Sequence, residues 1–509
     1  MEKLRLRFAP SPTGALHIGG VRTALYNYLL AKKHGGAFIL RIEDTDQARF
    51  VPGAEAYIKE ALEWFGLVPD EGPGYGGDHG PYRQSERKEQ YRKYTTQLIE
   101  SGRAYYAFDT PEELAAQREK EPNFKYDGRV RMQMKNSLTL SGEEVERALS
   151  EGVSYVIRLK APENETVNFQ DIVRGQVAFD SNELDDKVLL KADGMPTYHM
   201  ANVVDDYLME ITHVIRGEEW LSSTAHHVLL YRSLGWESQM PAFAHLPLIL
   251  RPDGKGKLSK RDGARFGFPV FPLAWKGKTE EDSFTGFREY GFLPDAAINF
   301  LALLGWNPGT EQELFSLDEL VEAFSVERIN KSGTRFDIDK AKWFNQQYII
   351  KADAGDLLEK VRPIIAAHGY EPGDDFLLGF IGLMQERAIT LDDFWENGYF
   401  FFEKPREYDT KVIQKRWDPE RKGLFDELAD QLDTLENYTA DQIKAQMEAF
   451  INDKGLKFGE VLPMLRLGAA GTMKGPAIFE MMELLGKEET SRRLRQAFAF
   501  FDQIKLESN

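Results

Sequence analysis

The chemistry-bearing residues fall into two short segments far apart in the chain. APSPTGALHIGG at 9–20 combines Gly14, Gly19 and Gly20 with His17. Glycines let a backbone approach a ligand closely, and a helix start offers unpaired N–H groups and the positive end of its dipole. An anion, most naturally a phosphate, suits such a turn. The spacing is neither a P-loop nor a dinucleotide fingerprint. GKGKLSKRDGARF at 254–266 places Lys257 and Lys260 around Leu258 and Ser259. From 251 to 265 there are six basic and two acidic residues, in a chain whose net charge is −18. Two lysines on a glycine-flanked loop can close on a polyphosphate and offset charge that develops during transfer. Taken singly, the first segment also reads as a Gly-rich turn and the second as a solvated surface loop.

The elements around these segments narrow the reading. LRLRF at 4–8 alternates apolar residues with Arg5 and Arg7, a strand pattern. The Pro/Gly turn follows, then helix formers from His17 to Lys33, closed by Gly35 and Gly36, then a second strand, FILRI, at 38–42. Strand, helix and strand imply a right-handed parallel crossover, with its ligand at the carboxyl ends of the strands. A helical stretch carries Ile58, Leu62 and Phe65, and 71–82 is a Gly/Pro-rich loop. Residues 105–190 mix a charged helix with strands at 153–160 and 167–179, which reads as an inserted α+β subdomain. Residues 191–265 read as strand and loop around aromatics, and 269–289 as an irregular insertion. Beyond about 325 the pattern is helical, ending in a stripe of Leu494, Ala497, Phe498, Phe501 and Ile504.

Composition sets the outer bounds. The 509 residues suggest several domains, and 42% hydrophobic residues suffice for real cores. The absence of cysteine excludes disulfides, thiol nucleophiles and Cys-type zinc sites. MEKLRLRF has no apolar signal core, and runs such as FLLGFIGLM at 376–384 fall short of the ~18–20 residues of a membrane span. A soluble, cytoplasmic protein is expected. The acidic balance by itself argues against a nucleic-acid partner, although an average conceals local basic faces.

Read together, HIGG after a first strand and KLSKR downstream resemble the two signatures of the class I aminoacyl-tRNA synthetases. RFAPSPTGALHIGGVRTALYNYLLAKKHGG and FILRIEDTD resemble the glutamyl-tRNA synthetase family, as do GMPTYHMANVVDD at 194–206 and HVIRGEEWLSSTAHHVLLY at 213–231. The likeness is strong over residues 1 to about 350, and LRLGAAGTMKGPAIFEMMELLGKE fits the family's C-terminal pattern. It implies a multidomain α/β fold. A Rossmann-type parallel-sheet catalytic domain would occupy 1–104 and 191–265, interrupted by an acceptor-end-binding subdomain at 105–190. A stem-contact region at 266–330 and an all-helical anticodon-binding region at 331–509 would follow.

The resemblance also implies the reaction. Glutamate would be activated by ATP to glutamyl-adenylate and passed to the 3′ end of tRNA(Glu), with release of pyrophosphate and AMP. A dianionic amino acid needs cations for two carboxylates and an acceptor for its ammonium. A guanidinium at Arg7, on the strand end, suits a carboxylate, and in the family this position takes the side-chain carboxylate. By family position Ser11 contacts substrate, Glu43 holds the ammonium, and Tyr198, Asn202, Arg216 and Trp220 complete the glutamate site. His17, Gly19, Gly20, Ser259 and Lys260 match the ATP site, Glu219 borders it, and His17, Lys257 and Lys260 are the expected catalytic groups. Lys260, His17, the helix start and magnesium carried in with ATP would stabilise charge. Some family members hold zinc through cysteines in the inserted domain; Ala107 and Asp109 stand there instead, so structural zinc is not expected. His226 and His227 are adjacent, and on a helix would diverge rather than share an ion. A monomer is expected. The alternatives carry different marks: glutaminyl enzymes have C-terminal β-barrels, short paralogues lack the tail, a non-catalytic tRNA-binding paralogue should lack the phosphate residues, and a relaxed form would also charge tRNA(Gln).

Overall fold

The computed structural model describes residues 3–277 and 279–506. Lys278, inside the 269–289 insertion, and residues 1–2 and 507–509 of the two end ranges lie outside the described residues. The chain divides into two compact units. One comprises the residues up to Glu289 with Ala297–Ile338, the other Tyr290–Ala296 with the chain from Asp339 onward. The division therefore differs from a cut at 330 in two ways: the first unit runs on to Ile338, and the short Tyr290–Ala296 stretch belongs to the second unit.

In the first unit, β1 (Arg5–Phe8), α1 (Ile18–Lys33) and β2 (Ala37–Leu40) form the expected parallel crossover, with Arg5 opposite Ala37 and Phe8 opposite Leu40. His17 caps α1 through its ring, and Lys32 and Lys33 complement the helix dipole at the other end. Gly36 is required because a Cβ there would stand 2.3 Å from the Leu4 carbonyl oxygen. The chain continues through α2 (Lys88–Glu100), β3 (Ala104–Ala107), β4 (Val156–Leu159), β5 (Thr166–Asp171), β6 (Gly175–Asp180) and β7 (Val188–Leu190). It then forms α3 (Tyr198–Leu208), β8 (His213–Gly217), α4 (Leu221–Leu234) and β9 (Ala242–Leu246). The main sheet has the order β2-β1-β8-β9-β5-β6, parallel except for the antiparallel β5–β6 hairpin.

Two expectations change here. The 105–190 stretch does not stand wholly apart: β3, β4 and β7 make a separate antiparallel sheet, but β5 and β6 extend the main one through the pairing of Asp171 with Phe243. Residues 191–265 contain two full helices rather than strand and loop alone. Helix α4 is buried around most of its circumference, so no amphipathic stripe marks it in sequence, whereas α3 does carry an amphipathic pattern that the strand-and-loop expectation passed over. The alternation in β1 also misleads. Leu6, Arg7 and Phe8 are all buried, because a central parallel strand is covered on both faces.

The second unit is helical. Its final helix, Lys487–Leu506, buries Leu494, Ala497, Phe498 and Phe501 as the stripe predicts, with Ile504 packed at the margin. Trp417 stacks on Phe498 at 5.5 Å, and its indole N–H donates to Asp502 at 2.8 Å. No helix of the described residues is long and apolar enough to cross a membrane.

Candidate active site

A cavity of about 700 Å³ opens at the carboxyl ends of β1 and β8. All fourteen candidate residues line it: Arg7, Ser11, His17, Gly19, Gly20, Glu43, Tyr198, Asn202, Arg216, Glu219, Trp220, Lys257, Ser259 and Lys260. Residues as far apart in sequence as Arg7 and Lys260 line one space because the switch in strand order between β1 and β8 leaves a crevice there.

One end is built for an anion. The Gly19 N–H donates to His17 Nδ1 at 3.1 Å, so the neutral ring carries its proton on Nε2, which is buried near the Ser259 backbone with no hydrogen bond of normal length among the described residues. Burial, then Lys260 and Lys257, push the His17 pKa down to about 4. The ring is therefore a neutral donor at physiological pH. Gly14 adopts φ +139°, and Lys260 Nζ lies 3.5 Å from where a Cβ on it would stand. Lys257 is tied to Glu219 at 2.7 Å. Ser259 is committed elsewhere, since both its N–H and its hydroxyl donate to Asp262 Oδ2 at 2.7 Å, whereas the sequence reads it as an ATP contact.

The 269–289 insertion supports this end. The Ile18 N–H donates to the Val270 carbonyl at 3.0 Å, closing one of the open donors of α1. Phe271 packs edge-on against His17 at 5.8 Å and lies 6.0 Å beneath Lys260 Nζ. Phe271 is itself stacked on Phe284 at 3.5 Å, and Trp275 and Phe284 exchange backbone hydrogen bonds.

The other end holds buried charge. Arg7 donates through Nε and Nη2 to the two oxygens of Asp206, at 3.0 and 3.2 Å. Arg41 bridges Asp206 and Glu43, at 2.6 and 3.1 Å. Burial opposes ionisation of Asp206, but Arg7 and Arg41 outweigh it and hold the carboxyl below its usual range. Burial prevails at Glu43 and pushes its carboxyl up, although Arg41 and Arg7 pull the other way. Asn202 donates to Glu43 at 3.3 Å. Arg216 donates to the Tyr198 hydroxyl at 2.7 Å, and burial raises that phenol to about 12. Trp220 packs on the Tyr198 ring at 4.5 Å with 42% of its surface exposed at the cavity rim. Ser11 is exposed at the mouth.

Sequence reasoning missed Asp206, Arg41 and Asp205. Asp205 accepts from Gln84, Arg87 and Tyr91 at 2.7–2.9 Å. The available signal was Asp-Asp inside an apolar helix and Arg41 inside an apolar strand, since buried charges are paired. His226 Nε2 lies 3.0 Å from the Asp185 carbonyl and His227 packs on Tyr198, but both rings also pack against His199, at 5.3 and 5.4 Å. Ala107 is buried in an apolar cluster with Tyr105, Tyr126, Val130 and Met134. Asp109 accepts from the Tyr126 hydroxyl and the Lys135 N–H, each at 2.8 Å.

This fold and cavity define a class. Residues 3–343 match the family described as tRNA synthetases class I (E and Q), catalytic domain, and residues 356–498 match an anticodon binding domain. The chain belongs to the class I tRNA synthetases of this family. It is 55% identical over 497 residues to the glutamate–tRNA ligase of Porphyromonas gingivalis (strain ATCC 33277), across 97% of this chain and 98% of that protein. It is 54% identical over 503 residues to that of Amoebophilus asiaticus (strain 5a2), across 98% of each. Among solved structures it resembles a glutamate tRNA ligase from Elizabethkingia meningosepticum CCUG26117 in complex with its amino acid. That match has a TM-score of 0.95 at 50% identity and covers 98% of this chain and 99% of that one. The glutamate-tRNA synthetase of Elizabethkingia anophelis follows at TM-score 0.92 and 49% identity, across 98% and 100%. Within the family, the chain groups with the glutamate–tRNA ligases.

Proposed function

We propose that this cavity carries out both half-reactions of a glutamate–tRNA ligase, with the residues in the following roles. The observation that carries the assignment is a single cavity lined by two buried guanidinium groups, Arg7 and Arg216, at one end and by His17 and Lys260 at the other. Arg7, anchored by Asp206, offers its remaining Nη1 to the side-chain carboxylate of glutamate. Glu43 receives the ammonium. Tyr198, Asn202 and Arg216 surround the amino acid, Trp220 covers it, and Ser11 closes the mouth.

ATP lies along Gly19 and Gly20 at the start of α1, with His17 Nε2–H as a neutral donor to a phosphate oxygen and Lys260 as the cation. An oxygen of the glutamate α-carboxylate forms a bond to the α-phosphorus. The bond to the bridging oxygen breaks, and pyrophosphate leaves with its electron pair. The terminal ribose hydroxyl of tRNA then attacks the activated carbonyl, and AMP leaves. Neither step needs a protein nucleophile, because positioning and charge stabilisation suffice. Lys257 joins the phosphates once released from Glu219. Magnesium enters as the companion of ATP, whose phosphates supply its oxygen ligands.

The 105–190 stretch receives the acceptor end, 266–330 contacts the stem, and the helical unit reads the anticodon, whose unstacked bases are open to stacking and hydrogen bonding. We read the protein as a cytoplasmic monomer. The deciding experiment is aminoacylation with labelled glutamate on separately purified tRNA(Glu) and tRNA(Gln). Charging of tRNA(Glu) alone is expected. Charging of both would replace it with the relaxed form, and charging of neither would overturn the enzymatic reading.

A further inference from the structure

Arg216 is a buried cation that no carboxylate among the described residues touches. Its Nη1 donates to the Tyr198 hydroxyl at 2.7 Å, its Nη2 to Thr224 Oγ1 at 2.7 Å and its Nε to His245 Nε2 at 3.1 Å. Arg7, by contrast, rests directly on Asp206. The nearest charge in the hydrogen-bond network of Arg216 is one residue further on, where His245 Nδ1 meets Asp171 Oδ2 at 2.6 Å. Asp171 and His245 are fully buried, and Arg216 is 5% exposed.

Donor bookkeeping fixes the protons. A guanidinium N–H can only donate, so His245 Nε2 presents its lone pair to Arg216 Nε and shares it with the Thr224 hydroxyl at 3.1 Å, and the ring proton sits on Nδ1, where the Asp171 carboxylate accepts it. Asp171 has no freedom to turn away. Its Oδ1 already accepts from the backbone N–H groups of Val173, Arg174 and His245 at 3.0, 2.8 and 3.3 Å. The sheet delivers the chain of contacts: Arg216 on β8 lies opposite His245 on β9, and Asp171 on β5 lies opposite Phe243 on the same β9.

We propose that Asp171 and His245 are positioning residues for amino-acid recognition. Asp171 selects the imidazole tautomer whose lone pair holds Arg216 at Nε, and this fixes the plane in which Arg216 and Tyr198 meet the amino acid. The inference rests on the reading that Arg216 faces glutamate. It adds a requirement that the cavity lining does not reveal, because neither Asp171 nor His245 reaches the cavity wall.

Asp171→Asn is the informative change. Its carbonyl oxygen keeps the three backbone donors, while its amide replaces Oδ2 and donates to Nδ1. His245 is then driven to the Nε2–H form, which opposes the Arg216 N–H with a second donor. His245→Asn is the companion: its amide can still donate to Asp171 but leaves Arg216 Nε without an acceptor. In aminoacylation assays both variants are expected to raise KM for glutamate about tenfold or more and to leave KM for ATP within about twofold. ¹⁵N-histidine NMR of the unsubstituted protein should show an Nδ1–H tautomer signal that is lost in His245→Asn, distinct from that of His79, whose Nδ1 faces the Leu208 carbonyl at 3.1 Å. An unchanged glutamate KM in both variants overturns the proposal. So does a joint rise in both KM values with a lowered Tm, which would make the pair a tie between strands, and so does an Nε2–H tautomer for His245. Arg216→Gln separates the two levels: if it too leaves the glutamate KM unchanged, the assignment of Arg216 itself has failed, whereas a raised KM beside silent Asp171 and His245 variants sinks only the inference.

Discussion

Arg7 and Asp206 are joined by two parallel hydrogen bonds of 3.0 and 3.2 Å across 199 positions of sequence, and each side chain is 3% exposed. The pair lets a cation face the cavity without standing alone in a low-dielectric interior. A buried charge needs a partner in the free protein as well as in the complex. Asp206→Ala should therefore act on both stability and binding. Removing it leaves Arg7 uncompensated and Arg41 with Glu43 alone, at a cost of about 3–5 kcal/mol, and should raise the glutamate KM. Urea unfolding monitored beside aminoacylation kinetics checks both, and unaltered stability would contradict the pairing.

Arg7→Lys tests the geometry rather than the charge. An ammonium cannot hold both oxygens of Asp206 and still present a planar edge to the ligand. Glutamate KM should rise about tenfold or more, with the ATP KM little changed and discrimination against glutamine reduced. Parallel titrations with glutamate and glutamine give the ratio directly, and an unchanged ratio would remove Arg7 from side-chain recognition.

Lys260→Ala should lower the rate of glutamate activation by about 100- to 1,000-fold, with a lesser effect on glutamate affinity. The lysine meets charge that grows during phosphoryl transfer, not charge present in the free amino acid. Pyrophosphate exchange in the presence of tRNA is the measurement, and an unchanged rate would refute the role.

Phe271 tests whether the 269–289 insertion serves the ATP end. It packs against His17 and beneath Lys260. Phe271→Leu should raise the ATP KM several-fold and leave the glutamate KM alone. Equal movement of the two constants would assign the segment a general packing role.

The low pKa of His17 makes a stability prediction with a definite sign. The unfolded ring takes its proton near pH 6.5, but the folded ring resists until about 4. Below 6.5 the unfolded state binds more protons, so the stability this group contributes is complete above pH 6.5 and is lost as pH falls toward 4. The drop in Tm between pH 7 and pH 5 should be smaller in His17→Asn, which keeps a capping oxygen for Gly19 but cannot titrate. An identical drop in both proteins would mean that His17 is not held neutral.

The βαβ start was legible because strand, Pro/Gly turn and helix carry strong local signals: β1, α1 and β2 fall where the patterns put them. The final amphipathic helix was legible for the same reason. Helix α4 was not, because burial on several faces erases its periodicity, while α3 was missed although its pattern is amphipathic. Candidate site residues could be named from motif and resemblance, yet Arg7 by itself looked like one residue of an alternating, half-exposed strand.

By itself, the sequence determined the local elements, the anion-binding turn and the basic loop, and through its resemblance the family. Only the tertiary structure decided which charges face one another. Parallel pairing of β8 with β9 sets Arg216 opposite His245, and α3, which precedes β8, brings Asp206 to Arg7 on β1. Tertiary neighbours likewise set the state of His17: burial of its ring with Lys260 and Lys257 close by keeps it neutral, with the proton on Nε2. Charge state and hydrogen-bond direction depend on burial and on partners distant in sequence, and neither is a property of a residue or of its neighbours along the chain.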